Sequence, residues 1–406
     1  MTAPAGRKKL LLVGVIVAVV ALGGASVAFA LTRSSRSSGS RGLATTGGSR
    51  ASGPTTTAEP MSVLVQPPDG SSNVDPATIV SVTALKGRIN TVTVTAADGS
   101  SVEGTVSPGG SAWRSSGTLA LKTDYTVTIN GQLPNGKFAE QVSHFQSVVP
   151  SANLGVTITP SSGLTVGIGE PIVLHFDHSV TNKDALIAAI QVTESNPVSS
   201  GWHWFNSKEL HFRPQAYWPT GEKVSLKANL TGFNAGNGVW GTADASTSFT
   251  VGDAHVSTAN VTTDQMTVTS NGAVVATYPI SAGRTQYPTM NGIHIDLYRQ
   301  QDVHMVSSTV GIPVNSPDGY DEHVYWDVNI SDGGEFVHAA PWSTGAQGNS
   351  NVSHGCVNLS PANAESFYNF SHIGDIIEVT GSPRGPDLGD HGTMDWNLPW
   401  SNWTPA

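Results

Sequence analysis

Short runs in which apolar and polar residues alternate recur along this chain, and a period of two admits half-buried strands rather than helices. Thr91-Val92-Thr93-Val94-Thr95 and Tyr125-Thr126-Val127-Thr128-Ile129 carry the pattern in one stretch. Ile172-Val173-Leu174-His175-Phe176 and Lys223-Val224-Ser225-Leu226-Lys227 carry it in the next. Gly, Pro, Asn and Asp punctuate these runs, as turns require. Only 12% of the residues are charged while Gly, Thr, Ser and Val abound, the composition of an exported β-rich protein.

A faint repeat links the two stretches: Trp113 precedes Leu119 and Leu121 at the offsets by which Trp204 precedes Leu210 and Phe212. Two successive immunoglobulin-like β-sandwiches, residues 61–150 and 151–252, are expected, neither with the cysteine pair of antibody domains. After Val256 the strands continue, with Met266-Thr267-Val268-Thr269 and Gly272-Ala273-Val274-Val275-Ala276-Thr277 joined by Ser270-Asn271-Gly272, a hairpin signal. Gly292-Ile293-His294-Ile295 and Ile376-Ile377-Glu378-Val379 also read as strands. One helix is predicted after Ser360, with Pro361 at its first position and Ala364, Phe367 and Tyr368 on one face.

The N-terminus addresses the chain outward. Arg7, Lys8 and Lys9 precede an apolar run from Leu10 to Ala30, which as a helix spans roughly 31 Å. Basic residues before the run hold the N-terminus in the cytoplasm. Ala28-Phe29-Ala30 resembles a cleavage site, but the run is long for a signal peptide. Residues 1–31 are therefore expected to be an uncleaved anchor, residues 32–60 a Ser/Gly/Thr tether, and the remainder an ectodomain outside the cell membrane, or secreted to the wall if the segment is cleaved. The net charge of −10 makes no electrostatic case for nucleic acid.

Cys356 is the only cysteine and cannot be half of an internal disulfide. It sits in Ser353-His354-Gly355-Cys356-Val357-Asn358, with a second histidine in Phe336-Val337-His338-Ala339. Free cysteine is most often a small buried hydrophobe. A neighbouring imidazole, however, lowers a thiol's pKa and takes its proton, and a nucleophile needs such a base together with a group that orients it. No Asp or Asn nearby is an obvious orienter, so the carbonyl of Ala339 is the candidate. Backbone N–H groups near Gly355 and Cys356 are candidates for an oxyanion hole. His175, Asp177 and His178 lie close together, but 175 and 178 point to opposite faces of a strand. The remaining histidines show no zinc-like spacing, and no metal ligand is assigned.

Phe336-Val337-His338, a Gly/Asn-rich loop and Ser353-His354-Gly355-Cys356-Val357-Asn358 closely resemble the signature of the L,D-transpeptidases of bacterial cell walls. The resemblance extends through Pro313-Val314-Asn315-Ser316-Pro317-Asp318-Gly319-Tyr320, Ala340-Pro341-Trp342 and the tail Asp395-Trp396-Asn397-Leu398-Pro399-Trp400. It implies a catalytic domain at residues 253–381 and a Trp-rich extension at 382–406 laid on it, behind two immunoglobulin-like domains. It further implies that Cys356 attacks the third residue of a peptidoglycan tetrapeptide stem, expels D-Ala and forms a thioester. The diaminopimelate amine of a second stem resolves that thioester into a 3-3 cross-link. His338 is implied as the base, and His354 and Ser353 as site-shaping residues. Carbapenems are implied as covalent inhibitors, and no metal or organic cofactor is implied.

Tyr298 to Tyr325 match a lid, with Tyr320 near the oxyanion and Met305 lining the pocket. Val310 stands where the family carries an aromatic residue and is expected to widen the pocket edge. Trp342 and Asn358 complete the substrate-side candidates. As for sugar-stacking, all four of Trp342, Trp396, Trp400 and Trp403 are read as packing instead. The sandwiches are assigned to spacing, so that removing residues 61–252 is expected to leave the thiol chemistry in place. An L,D-carboxypeptidase, in which water replaces the acceptor amine, and a non-catalytic wall-binding scaffold remain alternatives.

Overall fold

A computed structural model describes residues 61–406; the expected anchor and tether lie outside the described residues. Among the described residues no helix is long and apolar enough to cross a membrane.

In the first sandwich, strands Ser62–Gln66, Ser81–Lys86, Ala112–Ser115 and Gly104–Val106 form one sheet. Ser71–Val74, Phe138–Ser147, Asp124–Gln132, Arg88–Ala96 and Ser101–Val102 form the other. The alternation buries Val94, Val127 and Ile129 in a core shared with Val82, Trp113 and Phe145. In the second sandwich, Val156–Thr159, Ile172–Phe176, Glu209–Pro214 and Ser200–Trp204 face Thr165–Val166, Ala245–Val251, Lys223–Ala228 and Ile190–Glu194. The tryptophan repeat does not mark equivalent positions. Leu119 lies outside any strand whereas Leu210 and Phe212 lie on Glu209–Pro214. Trp202, not Trp204, joins Trp218 in the buried core of the second sandwich. Offsets along the chain survive only where turns have equal length, and here they do not.

The catalytic region is built from β1 (His255–Asn260), β2 (Gln265–Ser270), β3 (Ala273–Pro279), β4 (Gly292–Ile295), β5 (Tyr298–Val306), β6 (Asp321–Asn329), β7 (Phe336–Ala339), β8 (Val357–Leu359), α1 (Pro361–Phe370) and β9 (Ile376–Thr380). Asn271 and Gly272 turn β2 into β3 with φ of 51° and 81°, the left-handed pair that tight hairpins need. One sheet runs β3-β2-β1-β9-β4 and the other β5-β6-β7-β8. Two pairings are parallel: β1 with β9, and β7 with β8. Helix α1 starts where Ser360 Oγ accepts the Asn363 N–H at 3.3 Å. Its face of Ala364 and Phe367 closes a core with Met266, Val337, Val357 and Ile377.

The second sandwich does not stand apart from this region. Ile295 and Ile376 belong to the same core as Leu174, Phe212 and Trp218. Gly167 N donates to Ile373 O at 2.7 Å and Gly169 N to Gly374 O at 2.9 Å. A Cβ on Gly167 would come within 2.2 Å of Asp375 N, so the close approach requires glycine. The second sandwich therefore does more than the spacing expected for residues 61–252: it shares a core with the cysteine-bearing region, and its removal is expected to expose part of that core. The C-terminal segment spans both bodies. Asn397 bonds Ile293 of β4 in both directions (3.1 and 2.7 Å), while Thr404–Pro405 adds a strand to Ser200–Trp204. The guanidinium of Arg213 lies 4.4 Å from the rings of both Trp396 and Trp403 and 5.2 Å from Trp400, so these three indoles are packing.

Candidate active site

Cys356 sits one residue before β8, on a turn whose shape its neighbours dictate. Gly355 has φ of 135°, a conformation that side chains resist, and a Cβ there would meet Glu335 Oε1 at 3.2 Å. Ser353 Oγ donates to Cys356 O at 2.6 Å and accepts from Gly355 N at 3.1 Å. Thr289 Oγ1 donates to Gly355 O at 2.7 Å. Three consecutive backbone units are thus tied, and the thiol projects from a fixed frame.

His338 lies on β7, level with Asn358 on β8 in the parallel register, which brings it beside the cysteine turn. Its Nδ1 is 2.9 Å from Ala339 O. A carbonyl accepts only, so Nδ1 carries the proton and Nε2 keeps its lone pair. His338, Cys356, His354, Ser353, Tyr320, Met305, Trp342 and Asn358 all line one cavity of about 270 Å³. Gly355 and Ala339 shape it through their backbone. The β5–β6 hairpin covers this cavity, contributing Met305, Tyr320, Glu322 and Val324.

His354 is in a different state. Arg284 donates to its Nε2 at 2.9 Å and pairs with Asp318 at 2.6 Å, and the ring lies between Tyr287 and Tyr320, with centroids 5.1 Å from each. Its Nε2 lone pair is occupied, which leaves His338 as the free imidazole. Asn358 Nδ2 donates to Ser343 Oγ at 3.0 Å, holding the loop that carries Trp342. Trp342 is 56% exposed and rests over His338, with ring centroids 6.1 Å apart. It is thereby the one tryptophan of the four that does not serve packing.

Two expectations need correction. Val310 is not in the cavity wall; it is 43% exposed and packs near Gly334. Gly355 N–H donates to Ser353 Oγ, which takes it out of the set of free donors expected for an oxyanion hole. Sequence reasoning also missed Arg284, Tyr287, Thr289, Glu335 and Ser343. None belongs to a contiguous motif with Cys356, and no local pattern announces them.

The electrostatics differ from a thiolate–imidazolium pair. The thiol keeps some solvent contact, yet enclosure pushes its pKa up to about 12, with Glu335 and Asp327 adding repulsion. Burial lowers His338 to about 4, against the opposing pull of Ala339 O. Burial raises Tyr320 to about 12, and proximity to Cys356 adds to that. Both reacting groups therefore rest neutral, and Cys356 Sγ points to Gly334 O at 3.8 Å. Such a pair suits a proton transfer that accompanies attack on a carbonyl.

A profile of the L,D-transpeptidase catalytic domain matches residues 254–379, and one of a bacterial Ig domain matches residues 71–234. L,D-transpeptidase 2 of Mycobacterium tuberculosis (strain CDC 1551 / Oshkosh) is 39% identical over 335 residues, covering 82% of each chain. L,D-transpeptidase 5 of Mycobacterium tuberculosis (strain ATCC 25618 / H37Rv) is 34% identical over 346 residues, covering 83% of this chain and 75% of its own. The solved LD transpeptidase LdtMt1 in complex with imipenem is 34% identical, with a TM-score of 0.50, over 57% of this chain and 100% of its own. Aligned at this identity over four-fifths of its length, from the sandwiches through the cysteine domain, the chain belongs to the L,D-transpeptidase family, the acyltransferases that cross-link peptidoglycan.

Proposed function

We infer that Cys356 is the nucleophile and His338 the base of a 3-3 cross-linking reaction. One observation carries this: the thiol, on the turn that enters β8, and an imidazole with a free Nε2, on the adjacent parallel strand β7, open into the same covered cavity. As Sγ adds to the carbonyl carbon of the donor stem's third residue, its proton passes to His338 Nε2. The tetrahedral intermediate collapses, the C–N bond to D-Ala breaks, and His338 returns the proton to the leaving amine. The acceptor amine then adds to the thioester and gives up a proton to His338. The C–S bond breaks and Sγ is reprotonated. Cys356 N–H and the Tyr320 hydroxyl, which makes no hydrogen bond among the described residues, are the donors assigned to the oxyanion. Met305 and Trp342 would flank the stem, with Asn358 holding the Trp342 loop. His354 and Ser353 position rather than react.

The same chemistry would make Cys356 the acylation site for carbapenems. Arg7, Lys8 and Lys9 ahead of the apolar run support anchoring in the cell membrane with the catalytic domain outside. Intact mass after incubation with imipenem tests the assignment. One adduct on the parent and none on Cys356→Ala is expected; an unmodified, folded parent would refute it. Tetrapeptide dimers rather than tripeptides as the product would then separate cross-linking from hydrolysis.

A further inference from the structure

Away from the cysteine cavity, five titratable side chains form a continuous series where the second sandwich meets the C-terminal segment. Fully buried His211 has Nδ1 at 2.9 and 3.1 Å from the two carboxylate oxygens of Asp395, and Nε2 at 3.0 Å from Glu209 Oε1. His391 repeats the arrangement, with Nδ1 on Asp332 and Nε2 at 2.9 Å from the same Glu209 oxygen. Each imidazole is thus backed at Nδ1 by a carboxylate, and both Nε2 atoms converge on one oxygen. Metal-ligating histidines are held this way: the carboxylate fixes the Nδ1–H tautomer and aims the Nε2 lone pair at the ion.

We propose that Glu209, His211 and His391 form a binding site for a divalent transition ion of the zinc class, backed by Asp395 and Asp332, which clamps the C-terminal segment to the second sandwich. One ligand atom from each residue lies within 4.8 Å of the others. Tetrahedral bonds of about 2.0–2.1 Å set ligand atoms roughly 3.3 Å apart; both Nε2 atoms now aim at Glu209 Oε1 itself, at 3.0 and 2.9 Å, so an ion enters only as the imidazoles and that oxygen draw apart. His391, the most exposed of the three, can supply that movement. Two imidazoles and a carboxylate suit zinc, and a cavity of about 430 Å³ lined in part by His211, His391, Asp332 and Asp395 adjoins the group, with room for a coordinating water. When the ion enters and the two imidazoles each release a proton, two positive charges replace two, and the net charge of the group with its three carboxylates is unchanged. A second group, His255, His372 and Asp375, is less organised. No carboxylate backs His372, whose Nδ1 is 3.8 Å from Asp375, and the group serves as a control.

The test uses the full chain carrying Cys356→Ala, so that no thiol competes, stripped with chelator and titrated with Co²⁺. One equivalent should bind with the visible absorption of a four- or five-coordinate nitrogen–oxygen site, and Zn²⁺ should displace it. His391→Ala, at a half-exposed position, should abolish that signal while the far-ultraviolet circular dichroism stays that of the parent. Asp332→Asn should weaken binding about 10–100-fold, and His372→Ala should leave it unchanged. Absence of stoichiometric uptake would overturn the proposal and make the series an ion-pair chain only. Uptake that persists in His391→Ala, or disappears in His372→Ala, would overturn it equally.

Discussion

His338 and His211 are both buried histidines, and their surroundings drive them in opposite directions. Among the described residues His338 has a backbone carbonyl as its hydrogen-bond partner and no carboxylate, and burial lowers it to about 4. Burial also pulls His211 down, but Asp395 and Glu209 outweigh it and hold the group at about 9. His391, between Asp332 and Glu209, is raised to about 10. Burial alone neutralises an imidazole, whereas burial between carboxylates charges it. The catalytic cavity is built the first way, leaving a free base. The junction is built the second way, leaving a clamp.

The largest effect on chemistry should follow from removing the neutral histidine. His338→Ala should slow imipenem acylation by about 10²–10⁴-fold with little loss of stability, measured by time-resolved intact mass. A loss under tenfold would mean that another group takes the thiol proton. In the charged cluster the loss should appear in stability instead. Asp395→Asn leaves His211 short of its nearest partner and should cost about 3–5 kcal/mol in denaturant unfolding of chelator-treated protein. Unchanged stability would show that His211 rests neutral, and the contrast would collapse.

Gly355→Ala asks how far the cavity depends on backbone geometry. A side chain at φ of 135° costs about 1–3 kcal/mol, and the displaced thiol should acylate more slowly in the fraction that remains folded. A subtler check is the pH profile. Because His338 is lowered to about 4 and Cys356 raised to about 12, the acylation rate should be flat from pH 5 to 9 and fall only as pH drops through about 4. The sign for stability agrees: an unfolded histidine takes up its proton near 6.5, so this group destabilises the fold as pH falls from about 6.5 through 4. A rate that instead climbed with a midpoint between 6 and 8 would indicate a thiolate–imidazolium pair. The smallest effect should come from removing residues 61–150, whose core is separate from both environments. Acylation should be unchanged, whereas extending the deletion to residue 252 should abolish it by breaking the shared core.

Local physics made much of this protein legible in its residues. Alternation of period two marks Thr91–Thr95 and Lys223–Lys227 as half-buried strands, because neighbouring side chains on a strand must face opposite ways. Asn271-Gly272 names its own turn, and Ser360-Pro361 its own helix start. The cysteine turn was readable because its parts, from Ser353 to Asn358, are contiguous, and His338 through the family resemblance that Phe336-Val337-His338 carries; the structure then sets it on the strand beside the turn. What lay beyond reach was every contact made across long separations. Arg284 reaches His354 over 70 residues, and His391 reaches Glu209 over 182. No period or spacing encodes such pairs. They exist only once the sheets have stacked and the C-terminal segment has docked, and that stacking decides which histidine is left free and which is charged.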